Sequence, residues 1–484
     1  MTEQLTVIVL AAGGGTRMKS KTMKVLHPIG GRSMIGHVLA AVSGLDPARV
    51  CAVVGHQREQ VGPHILECLP EAVLAVQEEQ LGTGHAVRIA LDALDEQTVA
   101  PASGTVLIAY GDTPLLEGGT LRWFAAEHEA AQAAVSILSG VVDHPLGYGR
   151  IVRDDDGEVL AIVEEKDATD DQRAIQEINS GILAFDCEFL ADAVGRIGND
   201  NAKGEYYLTD TVQFARDAGL TVTAFPVDDV WQTEGANDRV QLAALGRELN
   251  RRIVTRWMED GVTIMDPETT WIDADVVLAE DVTILPGTQL IGATVIGEDA
   301  VVGPDTTLDD CEVGAGARVV RTHGQLAVIG DGATVGPFAY LRPGTTLGAG
   351  GKIGAFVETK NALIGDGAKV PHLSYVGDAE IGEGTNIGAG TIFANYDGVR
   401  KHRTKVGRHA RTSSNNTFVA PVTIGDGAAT GAGTVVRRDV PPGALAVSMG
   451  QQRNLPGWAQ TKRAGTAQAA AAEAAQPDGD DPDA

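Results

Sequence analysis

The chain has 484 residues, of which 43% are hydrophobic and 21% are charged. At one domain per roughly 150 residues, this length predicts about three domains, and the composition is typical of a globular protein with large buried cores. The 38 Lys and Arg residues against 65 Asp and Glu residues give a net charge of −27. Such a charge argues against a general binder of nucleic acids or anionic membranes.

Cysteine usage and the N-terminus indicate the compartment. Cys51, Cys68, Cys187 and Cys311 lie far apart in the sequence, which argues against a zinc site or a disulfide framework. The apolar stretch at residues 7–12 is too short to span a membrane, and Glu3 precedes it where a signal peptide would carry Lys or Arg. We therefore expect a cytoplasmic protein with neither a membrane nor a nucleic acid as its partner.

The first half alternates short apolar runs with helix-like segments. Strands are predicted at residues 6–10, 50–54, 73–77 and 106–110, and helices at segments such as 33–42 and 84–94. Strands that alternate with helices are typical of a parallel α/β sheet. Residues 1–238 are therefore predicted to form an α/β domain.

A glycine-rich turn at residues 13–15 follows the first predicted strand. Backbone N–H groups of such a turn can bind phosphates. The dinucleotide pattern G-x-G-x-x-G fails because Met18 stands at its third glycine, and the P-loop pattern is absent. An ordinary connection from strand to loop remains an alternative. The cations that follow the turn are Arg17, Lys19, Lys21 and Lys24.

Asp112 follows the predicted strand at residues 106–110. Ligands bind α/β sheets at the carboxyl ends of the strands, although Thr113 and Pro114 leave a helix cap as the alternative role. The turn, the cations and Asp112 together predict a nucleoside triphosphate site, with Mg²⁺ on Asp112 and cations on the phosphates.

Seven motifs of this half carry a family resemblance: LAAGGGTRM, KVL (24–26), QLGTGHA (80–86), YGD (110–112), GYGRI (147–151), EEKDAT (164–169) and EINSGI (177–182). With them the chain resembles bacterial N-acetylglucosamine-1-phosphate uridylyltransferases, which form the N-terminal half of the bifunctional GlmU enzymes. The resemblance implies a Rossmann-like nucleotidyltransferase fold and uridylyl transfer from UTP with release of pyrophosphate.

The resemblance also implies residue roles. The UTP site would comprise Leu10, Ala11, Ala12, Gly13, Lys24, Gln77, Gly82, Thr83, Tyr110, Gly111 and Asp112. Arg17 and Lys24 would neutralise the triphosphate during catalysis. The sugar phosphate would be held by Gly149, Glu164, Asn179 and Asn237, and Mg²⁺ by Asp112 and Asn237.

Residues 239–260 are predicted to form a linker helix, because residues 239–258 are rich in Leu, Ala and Arg and contain no proline. Residues 261–458 follow with a six-residue period. Stepping by six from Ile272 gives Leu278, Ile284, Leu290, Ile296, Val302 and Leu308. This period fits neither a helix nor strand alternation, and it predicts a parallel β-helix of hexapeptide repeats. A glycine-rich disordered tract is the alternative.

Two segments interrupt the repeats, PHLSY at residues 371–375 and ANYD at residues 394–397. His372 in the first is either a general base or a surface or packing histidine. Residues 398–411, which follow the second, carry six Arg and Lys residues and no acid. Such a segment suits a phosphate-rich ligand such as coenzyme A, or it is a solvated loop.

Residues 358–398 resemble the acetyltransferase half of the same bifunctional family, and a left-handed β-helix is implied. His372 would take a proton from the amino group of glucosamine 1-phosphate. The amino sugar would be held by Arg342, Lys360, Tyr375 and Asn386, and acetyl-CoA by Ala389, Asn395, Tyr396, Ser414 and Ala432. The resemblance further implies a homotrimer and peptidoglycan precursor synthesis.

The sequence departs from the family pattern at Ser413, Asn415, Asn416 and Met449, which makes acetyl-CoA binding less secure than the uridylyl chemistry. Residues 459–484 are predicted to be a disordered tail. The favoured interpretation is a bifunctional enzyme that makes UDP-N-acetylglucosamine from glucosamine 1-phosphate, acetyl-CoA and UTP. The alternatives are a nucleotidyltransferase whose β-helix is an oligomerisation scaffold, and a non-enzymatic solenoid binding protein.

Overall fold

A computed structural model of the chain describes residues 5–97, 104–201, 203–448, 450 and 452–475. The chain divides into two compact units, Met1–Gly344 and Thr345–Ala484. This division differs from the sequence boundaries at 238 and 260. The first coils of the β-helix belong to the first unit because they bind its α/β part: Ala274 N donates to Gly30 O at 2.9 Å, and Arg32 pairs with Asp275.

A nine-stranded sheet forms the centre of the α/β part, in the order β11-β7-β10-β6-β1-β4-β5, with β8 paired to β10 and β9 paired to β8. The strands of this part, including the small β2-β3 pair, are β1 (Leu5–Leu10), β2 (Pro28–Ile29), β3 (Arg32–Ser33), β4 (Arg49–Val54), β5 (Val73–Val76), β6 (Thr105–Tyr110), β7 (Val135–Val141), β8 (Gly149–Arg153), β9 (Val159–Val163), β10 (Glu177–Asp186) and β11 (Val222–Pro226). The predicted parallel sheet is only partly correct. Strand β10 runs antiparallel to both β6 and β7.

Helices cover this sheet. They are α1 (Met34–Ser43), α2 (Arg58–Cys68), α3 (Thr83–Gln97), α4 (Gly118–Ala131), α5 (Asp170–Arg173), α6 (Cys187–Val194), α7 (Asp210–Asp217) and α8 (Arg239–Glu259), with short 3-10 helices at Thr16–Met18, Lys24–Leu26 and Val230–Thr233. Side chains cap the N-termini of two of these helices. Ser33 Oγ accepts from Gly36 N ahead of α1, and the Asp238 carboxylate accepts from two backbone N–H groups ahead of α8.

The first unit ends in coils of a left-handed parallel β-helix. Its strands are β12 (Thr263–Ile264), β13 (Trp271–Ile272), β14 (Val277–Leu278), β15 (Thr283–Ile284), β16 (Gln289–Ile291), β17 (Val295–Ile296), β18 (Val301–Val302), β19 (Thr307–Asp309), β20 (Glu312–Val313), β21 (Arg318–Val319), β22 (Thr322–Gln325), β23 (Ala327–Ile329), β24 (Thr334–Val335) and β25 (Ala339–Leu341). Each strand pairs with the third strand after it, as β13 with β16 and β15 with β18. Each coil therefore contributes one strand to each of three faces.

The second unit contains further coils of the same kind. Its elements are β26 (Thr345–Leu347), β27 (Lys352–Ala355), β28 (Glu358–Ile364), β29 (Lys369–His372), β30 (Tyr375–Ile381), β31 (Ile392–Ala394), β32 (Thr404–Val406), β33 (Thr417–Val419), β34 (Val422–Ile424), β35 (Ala429–Thr430), β36 (Val435–Val436), β37 (Leu445–Ala446), α9 (Trp458–Lys462) and α10 (Ala467–Ala474). Ala379 lies opposite Thr404, twenty-five residues later. This long step makes room for a loop outside the coil at the predicted interruption.

The six-residue pattern is confirmed in both units. The residues from Ile272 to Leu308 at this spacing are at most 5% exposed, and Leu347, Ile353, Ile364 and Val370 are at most 2% exposed. The described coils are therefore not a disordered tract. Each inward aliphatic side chain packs on its counterpart one coil away.

Aspartates close several corners of the β-helix. Asp331 Oδ1 accepts from Ala315 N at 2.9 Å in the first unit, and Asp366 Oδ1 accepts from Ala349 N at 2.9 Å in the second. A glycine precedes each of the two alanines whose N–H groups donate. Gly348 is required at its position, because a Cβ there would lie 2.4 Å from Asp366 Oδ1. These carboxylates therefore connect neighbouring coils.

The C-terminal segment differs in part from the predicted disordered tail. The described residues there form α9 and α10, because the run AQAAAAEA consists mostly of strong helix formers and Thr466 caps it through Ala469 N. Residues 476–484 of the predicted tail lie outside the described residues. Among the described helices, none is both long enough and apolar enough to cross a membrane.

Candidate active sites

Three predicted site residues converge at the carboxyl ends of β1 and β6. The Lys24 ammonium forms an ion pair with Asp112 Oδ2 and donates to Asn237 Oδ1 at 3.2 Å. The side chains of Lys24 and Asp112 are only 14% and 16% exposed. Residues far apart in the sequence thus form one partly buried polar cluster.

The backbone positions this cluster. Leu10 of β1 lies opposite Tyr110 of β6, and Gly111 N donates to Leu10 O at 3.0 Å, so the nucleotide-site residues of the two strands adjoin. Ala236 N donates to Asp112 O at 3.2 Å, which brings the start of α8 to the same edge. The cap alternative for Asp112 is wrong because the next helix begins at Gly118.

The glycine-rich turn leaves its backbone accessible. Gly13 is exposed, and a Cβ there would meet no atom within 4 Å. Gly15 has φ +57°, and a Cβ would lie 2.5 Å from the Lys24 side chain, so only glycine lets Lys24 pass so close. Arg17 is exposed on the 3-10 helix Thr16–Met18. Gln80, which the sequence analysis missed, donates to Ala12 O and holds the turn.

A second loop adjoins this turn. Gln77 is buried, and its Nε2 donates to Gly82 O at 3.1 Å. Thr83 Oγ1 accepts from Leu208 N at 3.1 Å, and Gly84 N donates to Tyr206 O at 2.8 Å. The loop that contains Gln77, Gly82 and Thr83 is therefore fixed by the segment before α7.

The predicted sugar-phosphate residues line one cavity of about 320 Å³, together with Arg17, Tyr110, Asp112 and Asn237. Gly149 lies opposite Asn179 in the β8–β10 pair. A Cβ on Gly149 would lie 3.6 Å from both Asn179 Cβ and Glu164 Oε1. The sequence-predicted set Gly149, Glu164 and Asn179 is therefore brought together.

Burial sets the electrostatics of this cavity. Burial raises the pKa of Glu164, and the positive charge of Lys203 partly opposes the effect. Burial also raises the pKa of Tyr110, which stays a neutral phenol at physiological pH. Lys203 is a further cation that the sequence analysis did not single out.

The donor set fits a divalent cation. A carboxylate and an amide oxygen are ligands that Mg²⁺ accepts, usually with water and substrate phosphates for the remaining positions. Both oxygens bind one positive group in the structure, the Lys24 ammonium. The Asp112 and Asn237 side chains thus point at a common position that favours positive charge.

Three of the five residues predicted to bind acetyl-CoA, Ala389, Ser414 and Ala432, follow one corner of the second unit's β-helix. Backbone hydrogen bonds join successive coils there: Gly390 N to His372 O (3.3 Å), Asn415 N to Ala389 O (2.7 Å) and Gly433 N to Ser414 O (2.9 Å). Ala432 directly precedes Gly433. His372, Ala389, Ser414 and Ala432 therefore stack along one edge, and the His372 side chain is exposed there.

A second cluster surrounds Gly377 and Asp378. Lys360 lies opposite Gly377, and a Cβ on Gly377 would lie 2.4 Å from the Tyr375 hydroxyl and 2.7 Å from Asn395 Nδ2. Asn395 Nδ2 donates to Asp378 Oδ2 at 2.5 Å. Although burial opposes the change, hydrogen bonds from Asn361 and Asn395 lower the Asp378 pKa. The sequence analysis missed Asp378, whose only sequence signal is its place in the interrupted repeat.

Two further predicted acetyl-site residues of the second unit make other contacts. Asn386 forms backbone β-bridges to Lys369 and Arg411, and the exposed Tyr396 donates its hydroxyl to Gly398 O at 2.7 Å. Among the described residues, no hydrogen bond joins the His372 imidazole to Asn386 or Tyr396. Arg342 belongs to the first unit.

The basic segment is less basic in the fold than in the sequence. Glu380 pairs with both Arg403 and Lys405, and Asp426 pairs with Arg408. Arg400, Lys401 and Arg411 have no ion-pair partner among the described residues. Three of the six cations of the segment are therefore left uncompensated there.

The departures at the CoA end have a partial explanation. Asn415 has φ +56°, a conformation that asparagine tolerates better than most residues. Asn416 is buried and donates from Nδ2 to Ser413 O, which holds the corner. Met449 lies outside the described residues.

Comparisons with known proteins agree with the two-part architecture. Residues 7–176 match the MobA-like NTP transferase domain family, and residues 326–361 match the bacterial transferase hexapeptide family, with six repeats. The fold and the candidate sites therefore define a transferase of two parts, an NTP transferase domain and a hexapeptide β-helix.

Full-length relatives make the assignment specific. The bifunctional protein GlmU of Rhodococcus opacus strain B4 is 59% identical over 484 residues, covering 99% of this chain and 96% of the relative. Those of Pseudarthrobacter chlorophenolicus and Corynebacterium glutamicum strain R are 58% and 56% identical, each over 97% of this chain and over 95% and 97% of the relative. The chain belongs to the family of the bifunctional protein GlmU.

Proposed function

We propose that this chain makes UDP-N-acetylglucosamine in two steps. The β-helix acetylates glucosamine 1-phosphate with acetyl-CoA, and the α/β domain then transfers a uridylyl group from UTP to N-acetylglucosamine 1-phosphate. The observation that carries the proposal is the convergence of Lys24, Asp112 and Asn237 beside the cavity that Gly149, Glu164 and Asn179 line. The proposed product is a precursor for peptidoglycan and hence for the cell wall.

In the uridylyl step, a phosphate oxygen of N-acetylglucosamine 1-phosphate attacks the α-phosphorus of UTP, and pyrophosphate leaves. No protein nucleophile is needed, because positioning and charge neutralisation supply the catalysis. Arg17 and Lys24 neutralise the phosphates. The rest of the nucleotide is held by Leu10, Ala11, Ala12, Gly13, Gln77, Gly82, Thr83, Tyr110 and Gly111. Mg²⁺, held by Asp112 and Asn237, supplies further charge neutralisation when bound. For Lys24 to bind phosphate, its ammonium must leave Asp112.

In the acetyl step, the amino group of glucosamine 1-phosphate attacks the thioester carbonyl of acetyl-CoA. His372 takes the proton from nitrogen, and the C–S bond breaks to release the CoA thiol. Arg342, Lys360, Tyr375 and Asn386 bind the amino sugar, while Ala389, Tyr396 and Ala432 line the acetyl-CoA site. Asn395 and Ser414 stabilise the tetrahedral oxyanion.

The scaffold alternative is less favoured, because a scaffold needs neither the exposed His372 nor the cluster around Asp378. We expect purified protein to release free CoA thiol from acetyl-CoA and glucosamine 1-phosphate in the absence of UTP. His372→Ala should abolish this release and leave uridylyl transfer from UTP to N-acetylglucosamine 1-phosphate intact.

Two results would change the assignment. If the folded protein released no thiol but still carried out uridylyl transfer, the β-helix would be a scaffold. If it carried out neither reaction, the chain would be a binding protein. We further propose a homotrimer, because the corner that carries His372 and the cluster around Asp378 are two separate groups in the second unit of one chain. We also propose a cytoplasmic location, where UTP and acetyl-CoA are available. Equilibrium sedimentation of the full chain tests the trimer.

A further inference from the structure

An ion pair with one fully buried member adjoins the residues of the proposed sugar-phosphate pocket. Arg150 is 1% exposed, and its Nη2 lies 2.7 Å from Oε2 of Glu165, whose side chain is 24% exposed. Each member is the chain neighbour of a proposed sugar-binding residue, Gly149 or Glu164. The pocket is lined by those two neighbours but, among the described residues, by neither Arg150 nor Glu165.

The guanidinium of Arg150 connects three segments of the chain. Besides Glu165 after β9, it donates from Nη1 to Tyr148 O and from Nη2 to Arg173 O of α5 at 3.4 Å. Arg150 also lies opposite Val163 of β9 and Ile178 of β10. Movement of this side chain would therefore shift the strand ends that carry Gly149, Glu164 and Asn179.

The energetics do not explain the pair as a stabilising element. Desolvation of two charges offsets most of their attraction, so a buried ion pair replaced by apolar residues often leaves stability unchanged or improves it. Removing one partner alone leaves an unpaired buried charge and is strongly destabilising. What such a pair can still do is hold the segments that carry its two members in a fixed position.

We propose that Arg150 and Glu165 are positioning residues that set the specificity pocket for the sugar phosphate, acting through Gly149 and Glu164. The inference rests on the proposed uridylyl function. Alternation along β8 places Arg150 on the side of the strand opposite to Gly149, so the pair acts on the pocket from behind and does not touch the substrate. Loss of the ion pair should weaken binding of the sugar phosphate and leave UTP binding intact.

The test uses the full chain with both charges removed, Arg150→Met with Glu165→Met. We expect KM for N-acetylglucosamine 1-phosphate to rise about tenfold or more, as small displacements of positioning groups do, while KM for UTP and the acetyl transfer rate change less than about twofold. Arg150→Lys keeps the charge and loses the planar fork. It should fold and show the same selective rise, so the test does not depend on the double variant alone.

The matched control is Arg153→Met with Glu177→Met. Arg153 lies on β8, as Arg150 does, and pairs with Glu177 of β10 through two N–H···O contacts at 2.7 and 2.6 Å. Neither member of this control pair adjoins Gly149 or Glu164. An equal rise in both KM values, or the same sugar-phosphate effect in the control, would overturn the proposal. The variant Glu164→Gln tests the sugar-phosphate pocket separately from the role of the ion pair. If Glu164→Gln leaves KM for the sugar phosphate unchanged, the assignment of the pocket itself is wrong.

Discussion

At the scale of single residues, the N-terminal site is organised around one positive position. The Asp112 carboxylate and the Asn237 amide oxygen both bind the Lys24 ammonium. Asp112 lies just after the end of β6, Asn237 lies just before the capped start of α8, and Lys24 begins the 3-10 helix Lys24–Leu26. The same oxygens suit Mg²⁺, so lysine and metal are alternative occupants of the cluster.

Replacing Asp112 with Asn should remove most uridylyl transfer, by at least about a hundredfold, because a neutral amide binds Mg²⁺ less strongly than a carboxylate and less positive charge then faces the phosphates. Acetyl transfer should not change, since His372 lies in the other unit. Parallel assays of the two reactions on the folded variant check this. Retention of full uridylyl activity would contradict the assigned role of Asp112.

A buried histidine predicts how stability depends on pH. Burial lowers the pKa of His128 to about 4, and its Nδ1 lies 2.8 Å from Ser136 Oγ. Between pH 6.5 and 4 the unfolded chain binds a proton at this residue and the folded chain does not. Stability is therefore fully present above pH 6.5 and falls as the pH drops towards 4.

We expect Tm of the wild type to fall over this range and the fall to be shallower in His128→Asn, because that variant has no titrating ring. The contribution is at most about 3 kcal/mol. Thermal unfolding at several pH values measures it, and His144→Asn, at an exposed position, is the control. Identical slopes in all three proteins would refute the assignment.

At the scale of elements, close contact between coils positions the proposed acetyl site. Gly354 lies beside the next coil, and a Cβ there would lie 1.8 Å from Pro371 O. Pro371 directly precedes His372. The coil that carries the proposed base is therefore packed against a position where only hydrogen fits.

Gly354→Ala should destabilise the β-helix by about 1–3 kcal/mol, as overpacking does, and should reduce acetyl transfer more than uridylyl transfer. Gly367→Ala is the matched control: its φ is +64°, but a Cβ there meets no atom within 4 Å. Activity assays and thermal melts of both variants check the comparison. Equal loss of acetyl transfer in both would show that contact with Pro371 is not the cause.

Sequence reasoning predicted what is local and missed what is not. The six-residue pattern from Ile272 could be predicted because every inward position of the β-helix has the same surroundings and therefore takes the same kind of aliphatic residue. The antiparallel direction of β10 was not predicted, because it depends on pairing with distant strands. Asn237 lies 125 residues after Asp112, and only the family resemblance connected them. Arg150 gave no signal, since a charged residue inside a strand usually marks a solvent-facing side.

At the scale of the whole molecule, the two proposed activities are separable. The uridylyl residues lie in the first unit, and His372 with the acetyl-CoA corner lies in the second. The proposed product of the acetyl step is N-acetylglucosamine 1-phosphate, which we expect the uridylyl site to bind from solution.

A mixture of Asp112→Asn protein and His372→Ala protein should therefore make UDP-N-acetylglucosamine from glucosamine 1-phosphate, acetyl-CoA and UTP. Each variant keeps the activity that the other lacks, and a lag should precede product while the intermediate accumulates. Chromatography of the nucleotide sugar over time measures both. Absence of product, while each variant retains its own single activity, would mean that the intermediate does not pass through solution.

The corner aspartates bear on any attempt to change the isoelectric point of this protein, about 4.7 by sequence. Asp331 and Asp366 are not spare surface charges, because each fastens one coil to the next. Charge-reversal at these corners would remove the acceptor as well as the charge, whereas Asp→Asn would keep an oxygen for the backbone N–H. Re-engineering for solubility or crystallisation should therefore spare the corners and begin with acids that hold no neighbouring coil.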